Sequence, residues 1–156
     1  MMPTEKAIEI ARELAERWTW RLETRQPEPN RLDVLLASPT DLVPFAVALR
    51  VQRLGYLTAI TGLDPGPDTG SLELLYHFCH GAAIISLRLK VPRQGPTVPS
   101  LSEIIPSAES SEREIAEMFG ITFAGLRPTE HLYLPDGWPE STYPLRKDCV
   151  LPAAGE

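Results

Sequence analysis

Proline constrains this chain more than any other residue. Sixteen of its 156 residues are proline, and nine of these fall from Pro92 onward; that is about twice the ordinary share of roughly 5%. Each proline fixes φ, removes a backbone donor and disfavours helix at the residue before it. Pro92, Pro96, Pro99 and Pro106 therefore leave little room for regular structure, and Pro128, Pro135, Pro139 and Pro144 forbid helix again. Between these groups one short helix fits, at about 108–119, ending at Gly120. The stretch is nevertheless unlike disordered sequence, which is poor in apolar residues. It carries Ile121, Phe123, Leu126, Leu132, Tyr133, Leu134, Trp138, Tyr143 and Leu145. At about 25 cal/mol per Å² of apolar surface, leaving such side chains wet forgoes several kcal/mol. Up to Gly120 the chain's own domain and a partner are equally good covers. Beyond it a partner polypeptide is expected.

Upstream of Pro92 the periodicities alternate. Residues 4–17 read as a helix capped by Thr4, with Ala7, Ile10, Ala11 and Leu14 on one apolar stripe. Trp18, Trp20 and Leu22 alternate with Thr19, Arg21 and Glu23, which predicts a strand. Residues 26–30 form a turn, and 32–36 a second strand that completes a hairpin. Ser38 or Thr40 caps a helix running to about Leu54, with Leu42, Phe45, Ala46, Leu49 and Arg53 at helical spacing and Gly55 as its left-handed stop. A strand at 56–63, the breaker cluster 64–70, and strands at 72–79 and 82–91 joined at His80-Gly81 follow. The order helix, two strands, helix, three strands implies an α+β fold: two layers, a mixed five-stranded sheet and two helices on one face. A short helix and an extended proline-rich tail come after it. The expected division is an α+β domain at 1–91, a linker with a short capped helix packing on it at 92–125, and a partner-binding tail at 126–156.

The net charge of −6 argues against nucleic acid and against anionic lipid. The longest apolar run, at 82–85, is broken by Ser86 and Arg88, so no membrane span is expected. The first residues mix both signs of charge, unlike a signal peptide. Cys79 and Cys149 stand far apart with no Cys-x-x-Cys, which favours a reducing compartment. There is no glycine-rich phosphate loop, no Gly-x-Ser-x-Gly and no His-Glu-x-x-His. His77, Cys79 and His80 are the only clustered metal-type ligands, and on a strand His80 points away from the other two. These absences exclude most catalytic constellations, and no metal site is expected.

The stretch 110–121 reads locally as an amphipathic helix. Ser111 and Glu114 fit a capping box, Glu112 and Glu114 complement the helix dipole, and Arg113 pairs with Glu117 four residues on. Ile115, Met118 and Phe119 share one apolar face.

Glu112-Arg113-Glu114, then Glu117-Met118-Phe119-Gly120-Ile121, then Tyr143-Pro144-Leu145-Arg146-Lys147-Asp148, resemble the paired signature of the C-type subunit family of respiratory complex I. The related subunit of membrane-bound NiFe hydrogenases shares it. The specific part covers 105–148, and the element order upstream agrees. The sequence departs from the family pattern at Ser110, Ala116, Leu126, Glu130 and His131. The resemblance implies a cofactor-free subunit, not catalytic by itself, in the peripheral arm of a complex I-type NADH:quinone oxidoreductase. There it would clamp the hydrogenase-large-subunit-like chain beside the iron–sulfur subunit, on the cytoplasmic side of the membrane. Iron–sulfur clusters, and a flavin or NiFe centre, would belong to partner subunits. Alternatives are the equivalent subunit of a membrane-bound hydrogenase or formate-hydrogenlyase-type complex and, from another class, a free-standing small-molecule enzyme. Glu112, Arg113, Glu114, Glu117, Phe119, Trp138, Tyr143, Leu145, Arg146, Lys147 and Asp148 are the expected interface. Arg146 and Lys147 are expected to pair across it, or back to Glu112 and Glu114.

Overall fold

The structure is a computed structural model and describes residues 2–18, 22–127 and 130–151. Its elements run α1 (Thr4–Glu16), β1 (Glu23–Glu28), β2 (Arg31–Leu36), α2 (Leu42–Val51), β3 (Tyr56–Leu63), β4 (Ser71–His80), β5 (Ala83–Pro92), β6 (Thr97–Pro99), α3 (Ala108–Phe119) and β7 (Thr122–Ala124). The five long strands form one sheet in the order β1-β2-β5-β4-β3. It is mixed because β2 runs parallel to β5 while the other pairs are antiparallel. This is the α+β fold the sequence predicts.

Register decides which residues share a face. Leu32 lies beside Ile85, Val34 beside Leu87 and Leu36 beside Leu89, while Leu72, Leu74, Tyr76 and Phe78 oppose Val91, Leu89, Leu87 and Ile85. With side chains alternating across a strand, all of these point to one side, and all are buried. The helices cover that side. Ala7, Ala11 and Leu14 of α1, Leu42, Phe45 and Leu49 of α2, and Ile115 and Phe119 of α3 join the same core. Phe119 packs on β3 at Gly62, where any Cβ would stand 2.6 Å from its ring.

The other face of the sheet carries a self-paired polar network beside Leu35, Leu75 and Ile84. Arg31 Nε lies 3.0 Å from Asp33, Arg88 bridges Asp33 at 3.3 Å and Glu73 at 2.8 Å, and Lys90 approaches Glu73 at 3.7 Å. His77 sits between Ser86 Oγ at 3.0 Å and Thr61 Oγ1 at 3.2 Å. Burial, with Arg31 nearby, lowers its pKa. Cys79 shares this face, whereas His80 pairs with Ala83 on the core side. Among the described residues no three His, Cys, Asp or Glu side chains converge as metal ligands.

Several local expectations are corrected. Trp18 ends α1 in a turn, its N–H on the Ala15 carbonyl, and packs edge-on against Phe45 at 5.6 Å. The strand begins only at Glu23, so its alternation runs through exposed polar residues; Trp20 lies outside the described residues. Gln26 to Glu28 belong to β1, and the turn shrinks to Pro29 and Asn30. Thr4 is inside α1, after Pro3, and makes no side-chain cap. Ser38 caps a short 3-10 turn with Asp41 answering it, and α2 follows. α2 stops at Val51, and Arg53 takes the left-handed backbone with φ 55°. Gly55 is needed for another reason: a Cβ there would collide with the Cys79 carbonyl of β4. The proline-rich stretch also holds more order than expected, since β6 pairs parallel with β7.

Candidate partner interface

α3 joins the domain to the tail. It begins at Ala108 after Ser107, which makes no side-chain cap, so Ser111 lies inside it and the capping box does not form. Glu109 takes the dipole-favoured first turn and pairs with Arg113 at 2.5 Å, which replaces the expected pair of Arg113 with Glu117. Glu114 is exposed. Glu112 is buried with 0% exposure; it accepts the Leu101 N–H at 2.8 Å and the Ser100 hydroxyl. Burial raises its pKa and these two bonds oppose the rise. It therefore ties the β6–α3 loop to the helix and offers nothing to a partner. Phe119, only 6% exposed, is likewise internal.

Glu117 holds the start of the tail. Its carboxylate accepts the N–H groups of Leu132, Tyr133 at 3.0 Å and Leu134 at 3.3 Å, with His131 Nδ1 at 3.7 Å. Burial alone would raise its pKa, but these donors and His131 outweigh it and leave the group lowered. Between α3 and the tail lies a cleft of ≈ 430 Å³ bordered by Arg113, Ala116, Trp138 and Tyr143.

The motif 143–148 folds back on the chain itself. The Tyr143 ring presses on Gly120, which has φ 67° and no room for a Cβ. Glycine is thus required twice, by the left-handed end of α3 and by the ring above it. Leu145 N–H donates to the Met118 carbonyl at 3.2 Å, and Arg146 Nε to the Phe119 carbonyl at 2.8 Å while its guanidinium stacks over Tyr143 at 4.6 Å. A cation at the last helical carbonyls satisfies acceptors the helix cannot and complements its dipole. The expected link from Arg146 and Lys147 to Glu112 and Glu114 is therefore absent from the described contacts.

Asp64 is the anchor that sequence reasoning missed. Its carboxylate accepts the Gly66 N–H at 2.8 Å, the Lys147 N–H at 2.7 Å, and Arg93 Nη1 and Nη2 at 2.5 and 2.9 Å. Arg93 also bonds Asp148. The Arg93 guanidinium holds Asp64 far below the usual carboxylate range despite burial, and Asp64 in turn raises the arginine. No local signal pointed to this site. Asp64 sits in a breaker cluster, and Arg93 lies 29 and 55 residues from its two partners.

Among the tail's exposed side chains are five large apolar ones, set beside exposed Glu130, His131, Asp136, Glu140 and Lys147. Leu132 is 45% exposed, Tyr133 61%, Leu145 54%, Val150 88% and Leu151 60%. Trp138, its Nε1 bonded to the Thr142 carbonyl at 2.8 Å, is half-buried. Ile121 and Phe123, by contrast, are buried in the chain's own core. The boundary between self-covered and uncovered sequence thus falls near Leu126, later than Gly120.

The family model for the respiratory-chain NADH dehydrogenase 30 Kd subunit matches residues 35–154. The chain belongs to that family. The C-type subunit of the NADH-quinone oxidoreductase of Roseiflexus castenholzii is 36% identical over 120 residues, covering 74% of this chain and 68% of the relative. Formate hydrogenlyase subunit 5 of Escherichia coli is 42% identical over 105 residues, which are 65% of this chain but only 18% of that longer protein. Among solved structures, a chain of the membrane-bound sulfane sulfur reductase, an archaeal respiratory membrane complex, superposes with a TM-score of 0.75 at 25% identity, covering 94% of this chain and 86% of that one. A trypsin-resistant fragment of Nqo5 has the same fold, with a TM-score of 0.63 at 24% identity over 79% of this chain and 99% of the fragment. No helix among the described residues is long and apolar enough to cross a membrane.

Proposed function

We propose that this 30 Kd-family chain is a non-catalytic, cofactor-free subunit in the peripheral arm of a complex I-type NADH:quinone oxidoreductase, where its tail clamps a chain related to hydrogenase large subunits. One observation carries the reading: the tail is pinned inward by backbone groups and charges, while Leu132, Tyr133, Leu145, Val150 and Leu151 face out. A segment shaped before contact loses less entropy on binding. Iron–sulfur clusters, and the flavin or NiFe centre, belong in this reading to neighbouring chains, the iron–sulfur subunit among them. The chain itself sits peripherally on the cytoplasmic side of the membrane.

A second reading places it in a membrane-bound hydrogenase or formate-hydrogenlyase-type complex. The 42% identity to formate hydrogenlyase subunit 5 favours it. In formate hydrogenlyase subunit 5 the matching stretch is only 18% of a longer protein. The role is mechanical in both.

Changing Leu132, Tyr133, Val150 and Leu151 together to serine tests the clamp. The isolated chain should melt within about 2 °C of the parent, since these side chains are exposed. Recovery of the complex from a mild-detergent membrane extract should fall at least tenfold. Undiminished recovery would count against the clamp. A co-purifying NADH-oxidising flavoprotein selects the first reading, and a NiFe protein the second.

A further inference from the structure

The sheet has two edges, and they are built differently. β1, at one edge, reads Glu-Thr-Arg-Gln-Pro-Glu: it is charged, carries Pro27 and shifts register between Arg25 and Glu28. Those are the devices that keep an open edge from pairing with another chain. β3, at the other edge, reads Tyr-Leu-Thr-Ala-Ile-Thr-Gly-Leu, with no charge and no proline; it too shifts register, between Leu57 and Ala59, and is regular from Ala59 to Leu63. Its Tyr56 and Leu63 are exposed. Among the described residues, β3 makes backbone hydrogen bonds only to β4.

We propose that an extended strand of the neighbouring polypeptide adds to the outer edge of β3 in the assembled complex, making the sheet six-stranded. This rests on the chain working inside an assembly. The row of outward N–H and C=O groups calls for another strand, because only extended backbone presents donors and acceptors at the matching spacing. The position fits the partner that covers the tail. Lys147 is bonded to Asp64, the residue after Leu63, and Leu145 to Met118 of α3, whose Phe119 lies on β3 at Gly62. Exposed Leu145 and exposed Leu63 thus border one continuous surface. A second copy of this chain fits less well. An eight-residue strand pair covers only a few hundred Å², against roughly 1,200–2,000 Å² in a stable interface, and each copy carries a charge of −6.

Amide-resolved hydrogen exchange tests this, comparing the isolated chain with the complex recovered through a tag on the full chain. In isolation the outward amides of 56–63 should exchange fast. In the complex about three to four amides, at alternate positions, should slow at least a hundredfold, with the β1 edge at 23–28 unchanged. A complex in which 56–63 exchanges as it does in isolation overturns strand addition and leaves the clamp standing. Uniform slowing without alternation means cover by side chains and also overturns it. So does an isolated chain that sediments as a dimer with 56–63 already protected. If no complex is recovered, the clamp falls and strand addition with it.

Discussion

Residues 92–126 and 130–151 are both proline-rich and both apolar, yet they are held in opposite ways. The first stretch buries its large side chains: Val98, Leu101, Ile115, Phe119, Ile121 and Phe123 all enter the core. The second has no buried residue among those described. It is fixed by N–H groups on Glu117 and Asp64, by Arg146 on a helical carbonyl, and by Asp148 on Arg93. Polar anchoring leaves apolar side chains unused, so a segment can be ordered without spending the surface it offers a partner. Burial would have ordered it equally well and hidden that surface.

This contrast makes unequal demands on stability. Phe119→Ala should be the most damaging change. Emptying the space over Gly62 should cost about 3–5 kcal/mol in denaturant unfolding; a loss under about 1 kcal/mol would mean that α3 is not part of the core. Next comes Arg93→Met, which leaves Asp64 buried without its cation and should cost about 3 kcal/mol. This pair also sets a pH dependence. The folded pKa of Asp64 is depressed, so its contribution is complete above the ordinary value of 3.8 and is lost as pH falls below it. Glu112, raised by burial, acts in the opposite sense, weakening the fold as pH rises through its folded pKa. Arg93→Met should flatten the acid limb of the stability curve, and an unaltered limb would show that another group sets it. Glu117→Ala should cost only about 1–2 kcal/mol but should accelerate amide exchange at 132–134 by more than tenfold. Unaltered exchange there would mean that Glu117 does not hold the tail.

The sheet was legible because it obeys local rules. The breaker cluster at 64–70 and the turn signal at His80-Gly81 placed β4, β5 and their turn to within a residue or two, and Gly120 marked the end of α3. The errors came where a local pattern had two solutions. Ser111 and Glu114 match a capping box at a helix start or sit equally well mid-helix; the chain begins the helix earlier, with Glu109 in its first turn. Trp18 fits a strand alternation, but tertiary packing on Phe45 keeps it in the turn after α1. Strands as short as β6 and β7 show no period at all, and their partner is remote in sequence. The motif 143–148 was visible but its direction was not. Whether Arg146 reaches a partner or the Phe119 carbonyl depends on where α3 ends in space, which residue identity alone does not encode.

The Asp64 anchor also imposes a sequence of events. One carboxylate gathers the loop at 64–66, Arg93 just after β5, and the backbone at Lys147. During vectorial synthesis the last of these emerges after the first two have been placed by the β4–β5 hairpin. A molecule whose hairpin is misfolded has no seat for its late residues, and Leu145 and Val150 then dangle rather than being presented. In the proposed clamp, a partner would thus meet a finished docking face only on correctly folded copies.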